Sequence, residues 1–504
     1  MKRAELTIDP AFAIGDIDRR LFGSFVEHMG RCVYTGVFEP GHPAADADGL
    51  RRDVLDLVRE LGVTVVRYPG GNFVSGYRWE DGVGPVERRP SRLDLAWRSV
   101  EPNTFGLGEF MAWARLAGVE PMLAVNLGTR GVQEALDLLE YANYPKGTRF
   151  SDLRREHGHA EPFDIRLWCL GNEMDGPWQI GHKNAQEYGR LAAETAKAMR
   201  LVDPRVELVA CGSSNRQMKT FGSWEATVLD EAYDYVDYIS LHAYYEQHDD
   251  DLASFLATSI DMDGFIEDVV ATCDHVRAKR RSGKKMRLSF DEWNVWYQSR
   301  FGGSHSQSWN DAPRLIEDDY TVADAVAVGG YLLTLLNHAD RVAIGCQAQL
   351  VNVIAPIRTE PGGAAWRQTI FHPFALTARL ARGEALHMSL RSPQHETTAY
   401  GPVDSIAAAA SYDESTGGLS LFIVNRCTTD AIDVDIDLRG LPGLRVAEHQ
   451  MIHDNDPTAR NRADAPDRVV PHAQGAFAVD GDRLRLTTPA ISWTALSLTP
   501  EAHQ

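Results

Sequence analysis

Two glutamates stand where short apolar runs give out. Glu173 closes the stretch 165–173 (IRLWCLGNE), and Glu292 lies in 286–293 (MRLSFDEW). In a buried parallel strand the apolar residues stay inside, and the first polar side chains emerge at the C-terminal end. Barrel enzymes carry their catalytic groups at that end. Two carboxylates facing each other across such an opening can flank a glycosidic bond, one as acid/base and the other as nucleophile. Their environments must then differ, because the acid needs a raised pKa and the nucleophile must stay ionised. Taken singly, either glutamate is better explained as a helix cap or an ion-pair partner. The repetition of the pattern, beside Asn172 in one case and Trp293 in the other, favours catalysis. A carboxylate separation of about 5 Å would mean a covalent glycosyl-enzyme, whereas about 8 Å or more would mean inversion.

The elements that must hold this pair alternate along the chain. Strand-like runs fall at 21–27, 63–68, 121–126, 165–173, 206–211, 238–244, 286–293 and 342–349. Helical patterns separate or follow them at about 104–117, 131–143, 184–201, 222–234, 262–281, 319–338 and 367–381, with a polar excursion at 145–162. Another helix, carrying Leu50, Val54, Leu57, Val58 and Leu61, is predicted to be capped by Asp48. Eight strand–helix repeats predict a closed (β/α)8 TIM barrel with long loops. A doubly wound open sheet is the alternative, but the Gly-rich dinucleotide fingerprint that usually accompanies it is absent. Beyond residue 383 helical periodicity disappears. Ile432, Val434, Ile436 and Leu438 alternate with Asp433, Asp435 and Asp437, a period of two with one acidic face. The expectation is a barrel over 15–382 and a jelly-roll-like β-sandwich over 383–504, which the N-terminal strand at 3–8, within 1–14, joins.

A formal net charge of −20 argues against nucleic acid and anionic membranes as partners. No apolar run reaches the length of a membrane span. The N-terminal residues lack a signal-peptide core, so a cytoplasmic location is expected. The six cysteines show neither CxxC nor zinc spacing, which suits buried free thiols. There is no GxSxG elbow, HExxH or Walker loop, which removes most serine-hydrolase, zincin and nucleotide-hydrolase readings.

The remaining strand ends suit a sugar. Glu27 ends the first strand, Arg67 and Asn72 flank the end of the second, and Asn126 ends the third. Asn172 adjoins Glu173, His242 and Tyr244 end the sixth, and Gln347 and Gln349 end the eighth. Fixed amides and carboxylates discriminate hydroxyl orientations. Tyr244 is placed to hold the nucleophile's carboxylate, and Arg67 to orient carboxylates rather than touch sugar. His242 can be a structural or a catalytic histidine. Trp97, Trp178, Trp296 and Trp309 offer faces on which a sugar could stack, with core packing the competing explanation.

The segments FVEHMGRCVYTGVFEP, RYPGGNF, WCLGNEMDGPWQIGH, SLHAYY, FDEWNVW and AQLVNVIAPI resemble, in the same order, those of the α-L-arabinofuranosidases of glycoside hydrolase family 51. GNE alone is shared widely among retaining barrel glycosidases; the long GNEMDGPWQIGH run is far more specific. The resemblance implies that Glu173 is the acid/base and Glu292 the nucleophile. It assigns substrate contacts to Glu27, Asn72, Asn172, Tyr244 and Gln349, with Gln349 preferred over Gln347 because it stands in AQLVN. It further implies an exo-acting, retaining enzyme on arabinose-containing oligosaccharides, a barrel plus β-sandwich, no metal or other cofactor, and a homo-hexamer. The loop 300–318 is expected to set leaving-group preference. The competing readings are a β-xylosidase or endo-β-glucanase on the same scaffold, and a non-catalytic carbohydrate-binding protein.

Overall fold

The computed structural model describes residues 2–303, 308–473 and 477–501. Eight parallel strands close into a barrel. In chain order they are Gly23–Phe25, Val65–Tyr68, Glu120–Val125, Leu167–Leu170, Glu207–Ala210, Tyr238–Tyr245, Arg287–Val295 and Val342–Gln347. The last pairs with the first through Cys346 opposite Gly23 and Gln347 opposite Ser24, which seals the ring. Val65, Met122, Leu167, Val209 and Ile344 belong to one buried cluster drawn from several of these strands, a packed barrel interior beneath the site. At the start of the strands Arg20 clamps Glu120 at 2.6 Å and Glu207 at 2.8 Å, tying the third strand to the fifth.

Helices such as Leu107–Ala117, Val132–Asn143, Ala185–Val202, Ser259–Arg280 and Val322–Asn337 follow the predicted alternation. Two details differ. The first helix begins at Arg52, and Asp48 does not cap it. Arg51 precedes it instead, fully buried and paired with Glu39 and Asp53, so that an ion-pair cluster fixes the helix entry. The polar excursion contains a helix, Arg149–Glu156. It is held by hydrogen bonds: buried Arg154 donates to the carbonyls of Tyr141, Tyr144 and Pro145. All six cysteines are free and buried.

The C-terminal region forms a nine-stranded sheet. The N-terminal strand, Lys2–Asp16, runs through it, antiparallel to Glu384–Arg391 and parallel to Ile432–Leu438. It extends past the expected 3–8, with register shifts between Ile8 and Ala13 and between Ala13 and Gly15. Leu6, Leu421, Ile436, Leu484 and Leu496, from both flanks of the sheet, share one apolar cluster, so the sheet curls over a common core. Its other face meets the barrel. There Gly329, on the helix Val322–Asn337, leaves room for Trp493, whose Cδ1 would lie 2.2 Å from any added Cβ.

Candidate active site

The chain turns sharply after the fourth barrel strand. Gly171 takes a φ of 92°, and Glu173 itself a φ of 44°, left-handed conformations that are uncommon outside glycine. This turn brings Glu173 into the barrel mouth, where it is 8% exposed. Its Oε1 lies 2.9 Å from His242 Nδ1, and its Oε2 accepts from Trp178 Nε1 at 2.6 Å.

Glu292 arrives by a different device. The seventh strand slips register against the sixth between Ser289 and Glu292, and against the eighth between Phe290 and Trp293. In a regular strand neighbouring side chains point to opposite faces; this irregularity turns Asp291 and Glu292 to the same group of partners. Glu292 Oε1 accepts from Arg67 Nη1 at 2.6 Å, and Oε2 accepts from the Tyr244 hydroxyl at 2.8 Å. His242 Nδ1 lies 3.5 Å from Glu292 Oε2, and His242 Nε2 lies 3.0 Å from Asp291 Oδ1. One carboxylate oxygen of Glu173, one of Glu292 and a ring nitrogen of His242 all fall within 4.8 Å of one another.

By distance alone those three residues could ligate a metal ion. The electrostatics oppose it. Burial works against a charged imidazole, but Glu292, Asp291 and Glu173 outweigh it and push His242 up to about 10. An imidazolium has no lone pair to offer a cation.

Glu27 lines the same pocket as Glu173 and Glu292. Its Oε1 accepts from the Phe73 amide at 2.9 Å and from Trp97 Nε1 at 2.8 Å, and its Oε2 from Gln349 Nε2 at 3.0 Å. Burial pushes this carboxyl up to about 8, although the Phe73 and Trp97 donors act the other way. The Gly70-Gly71 pair of RYPGGNF has a steric reason here. A Cβ on Gly70, whose φ is 152°, would come within 2.5 Å of Glu27 Cγ. Gln349 Oε1 is buried with no protein partner among the described residues.

The amides form a second network. Asn172 accepts from Arg67 Nη2, and Asn72 Oδ1 accepts from Gln179 Nε2 and, at 3.5 Å, from Asn172 Nδ2. Gln179 Nε2 also lies 3.5 Å from Glu173 Oε2, and Ser75 fixes the other end of the Gln179 amide at 2.7 Å. A pocket of about 880 Å³ opens over these groups, lined by Glu27, Asn72, Glu173, Tyr244, Glu292 and Gln349 together with Trp97, Trp178 and Trp296. Trp296 packs edge-on against Tyr244, with centroids 5.1 Å apart.

Three sequence candidates stand elsewhere. Asn126 binds the Tyr77 carbonyl and Thr129, Gln347 donates to Asn294, and Trp309 packs on Arg98. None of them lines this pocket. Conversely, Gln179 and Asp291 join the site although neither was singled out from the sequence. Gln179 lies in the conspicuous MDGPWQIGH run, and Asp291 is one residue from Glu292. Among the described residues no helix is long and apolar enough to cross a membrane.

Comparison with known proteins places this geometry in a family. Residues 57–262 match the model of the alpha-L-arabinofuranosidase 1 domain, and residues 291–492 that of the alpha-L-arabinofuranosidase C-terminal domain. An intracellular exo-α-(1→5)-L-arabinofuranosidase of Streptomyces lividans is 60% identical over 98% of this chain and 75% of its own length. The chain belongs to the α-L-arabinofuranosidases of glycoside hydrolase family 51. An exo-α-(1→6)-L-arabinofuranosidase of Bifidobacterium longum is 53% identical over 98% of this chain and 97% of its own. A solved family 51 α-L-arabinofuranosidase from Bifidobacterium longum superposes with a TM-score of 0.95 at 48% identity, covering 99% of both chains. The barrel and strand-rich C-terminal region expected from the sequence are thus the family's fold.

Proposed function

We propose that this protein is an exo-acting, retaining α-L-arabinofuranosidase that releases terminal arabinofuranose from arabino-oligosaccharides. The observation that carries the mechanism is the approach of Glu173 and Glu292, with oxygens within 4.8 Å across one pocket. An approach this close suits direct attack by a carboxylate better than the separation of roughly 6.5–9.5 Å that inversion needs. Glu173 protonates the departing glycosidic oxygen while Glu292 attacks the anomeric carbon. Glu173 then takes a proton from water, which displaces Glu292 and releases the sugar with its configuration retained. Arg67 and Tyr244 hold Glu292 by its two oxygens, and Trp178 holds Glu173 from the rim. Glu27, Asn72, Asn172 and Gln349 supply the fixed polar groups that sort ring hydroxyls, and Trp296 packs the wall behind Tyr244.

The finer parts of the reading rest on relatives and on sequence. The word intracellular in the Streptomyces lividans enzyme's name supports a cytoplasmic enzyme acting on imported oligosaccharides. Similar identities to a (1→5) and a (1→6) enzyme leave both linkages within this proposal. Leaving-group choice is assigned to the loop 300–318, of which residues 304–307 lie outside the described residues. A division into a barrel over 15–382 and a sandwich over 1–14 with 383–504, and assembly into a homo-hexamer, belong to the same proposal.

A panel of aryl glycosides tests the activity. Turnover of the α-L-arabinofuranoside well above that of the β-xyloside and β-glucoside is expected. Clear turnover of the β-xyloside with none of the α-L-arabinofuranoside would overturn it.

A further inference from the structure

His242 Nδ1 faces both carboxylates of the reacting pair, and the group behind the ring is a third buried carboxylate. Asp291 is 1% exposed, and its Oδ1 lies 3.0 Å from His242 Nε2, while Nδ1 of the same ring points at Glu173 Oε1 from 2.9 Å. We propose that Asp291 is a positioning residue for the acid/base step: by holding His242 Nε2–H it keeps Nδ1–H directed at Glu173 Oε1, so that Oε2 carries the reacting proton. This inference rests on the assignment of Glu173 as acid/base.

The argument runs through hydrogen-bond inventory. A ring that donates from both nitrogens is an imidazolium, and a buried imidazolium needs anions on both sides. Asp291 provides one at Nε2 and Glu292, 3.5 Å from Nδ1, the other, while Glu173 Oε1 accepts from Nδ1–H; the upward push on His242 to about 10 agrees with this arrangement. If Asp291 lost its charge but still accepted from Nε2–H, a neutral ring would present a lone pair to Glu173 Oε1. The Glu173 proton would then be drawn onto the Oε1 side, towards His242 and away from the leaving group.

Charged and titratable groups from six strands surround the pair. Glu173 and Cys169 come from the fourth strand and its end, with Cys169 Sγ 3.9 Å from Asp291 Oδ2. Arg67 of the second places Nε 3.8 Å from Asp291 Oδ2, Tyr244 belongs to the sixth, and Glu292 follows Asp291 on the seventh. Cys211 of the fifth and Cys346 of the eighth also feel the Asp291 charge. Arg67 is the alternative beneficiary of Asp291, which would then serve only to neutralise a buried guanidinium.

Leaving-group dependence separates the two. A dinitrophenyl α-L-arabinofuranoside departs without protonation, whereas an arabino-oligosaccharide does not. For Asp291→Asn, kcat/KM on the oligosaccharide is expected to fall about a hundredfold and on the dinitrophenyl substrate less than about fivefold. The alkaline limb of the oligosaccharide profile is expected to move to higher pH, because a neutral ring that accepts from Glu173 favours its protonated form, and Asp291→Glu to restore part of the parent position. Equal losses on both substrates with an unmoved pH profile, or no loss on either, would overturn the proposal. Glu173→Gln run alongside keeps the readings apart. If it shows no leaving-group dependence the acid/base assignment has failed; if it does and Asp291→Asn does not, the role of Asp291 has failed. Should neither Asp291 variant fold, ¹⁵N spectra of ring-labelled wild-type protein, with His242 assigned by His242→Gln, decide the matter: two protonated ring nitrogens at pH 8 support it, and a neutral ring overturns it.

Discussion

The Tyr244 hydroxyl stands 2.8 Å from Glu292 Oε2, the oxygen opposite the one that Arg67 holds at 2.6 Å. Both carboxylate oxygens therefore accept from a fixed donor, and each keeps a second lone pair with which to attack an anomeric carbon. Arg67 is buried and also tied to Asn172, so the phenol is the donor that can be removed singly. For Tyr244→Phe, loss of a hydrogen bond to a charged group, worth about 1.5–3 kcal/mol, is expected to lower kcat/KM about ten- to hundredfold. The melting temperature should stay close to that of the parent. Steady-state kinetics on an aryl α-L-arabinofuranoside would check this, and a loss below about twofold would contradict a role for Tyr244 in aiming Glu292.

The positions of Glu173, Glu292 and Glu27 were legible because a buried parallel strand is an apolar run that must end somewhere visible. All eight runs fall within a few residues of the strands that form. What the sequence hid depends on interactions without periodicity. Arg154 buries a helix through carbonyl hydrogen bonds, so Arg149–Glu156 reads as polar loop. Arg51 displaces Asp48 at a helix entry through ion pairs made across the fold. Asp291 was passed over because strict alternation sends it away from Glu292, and only the register slip at this point of the seventh strand brings both to His242. Neither composition nor spacing marks a bulge. Gln179 entered through a loop that folds back on Glu173, a contact that only the tertiary structure creates.

Glu27 makes a prediction about stability. Its carboxyl lies at about 8 in the fold against 4.5 ordinarily, so between those values the native state keeps a proton that the unfolded chain has lost. Stability contributed by this group is complete below pH 4.5, declines as pH rises through the window, and levels off above about 8. Glu27→Gln removes the titration. The wild-type unfolding free energy, measured relative to the variant by urea denaturation across that window, is expected to fall with a slope of up to about 1.4 kcal/mol per pH unit. His242 contributes its own decline in both proteins, so the difference isolates Glu27. Parallel curves would contradict a buried, protonated Glu27. Activity of the variant is expected to drop, since the amide can place only one acceptor against Phe73, Trp97 and Gln349.

The division of labour between Glu173 and Glu292 is tested most directly by azide rescue. Glu173→Ala supplied with an aryl α-L-arabinofuranoside and azide should regain turnover and give the α-configured arabinofuranosyl azide, because azide opens a covalent Glu292 intermediate. Glu292→Ala should give the β-configured azide, because azide then takes the place of the nucleophile itself. The reverse pattern of configurations in the isolated adducts, or no adduct from either variant, would contradict the roles assigned to the two carboxylates.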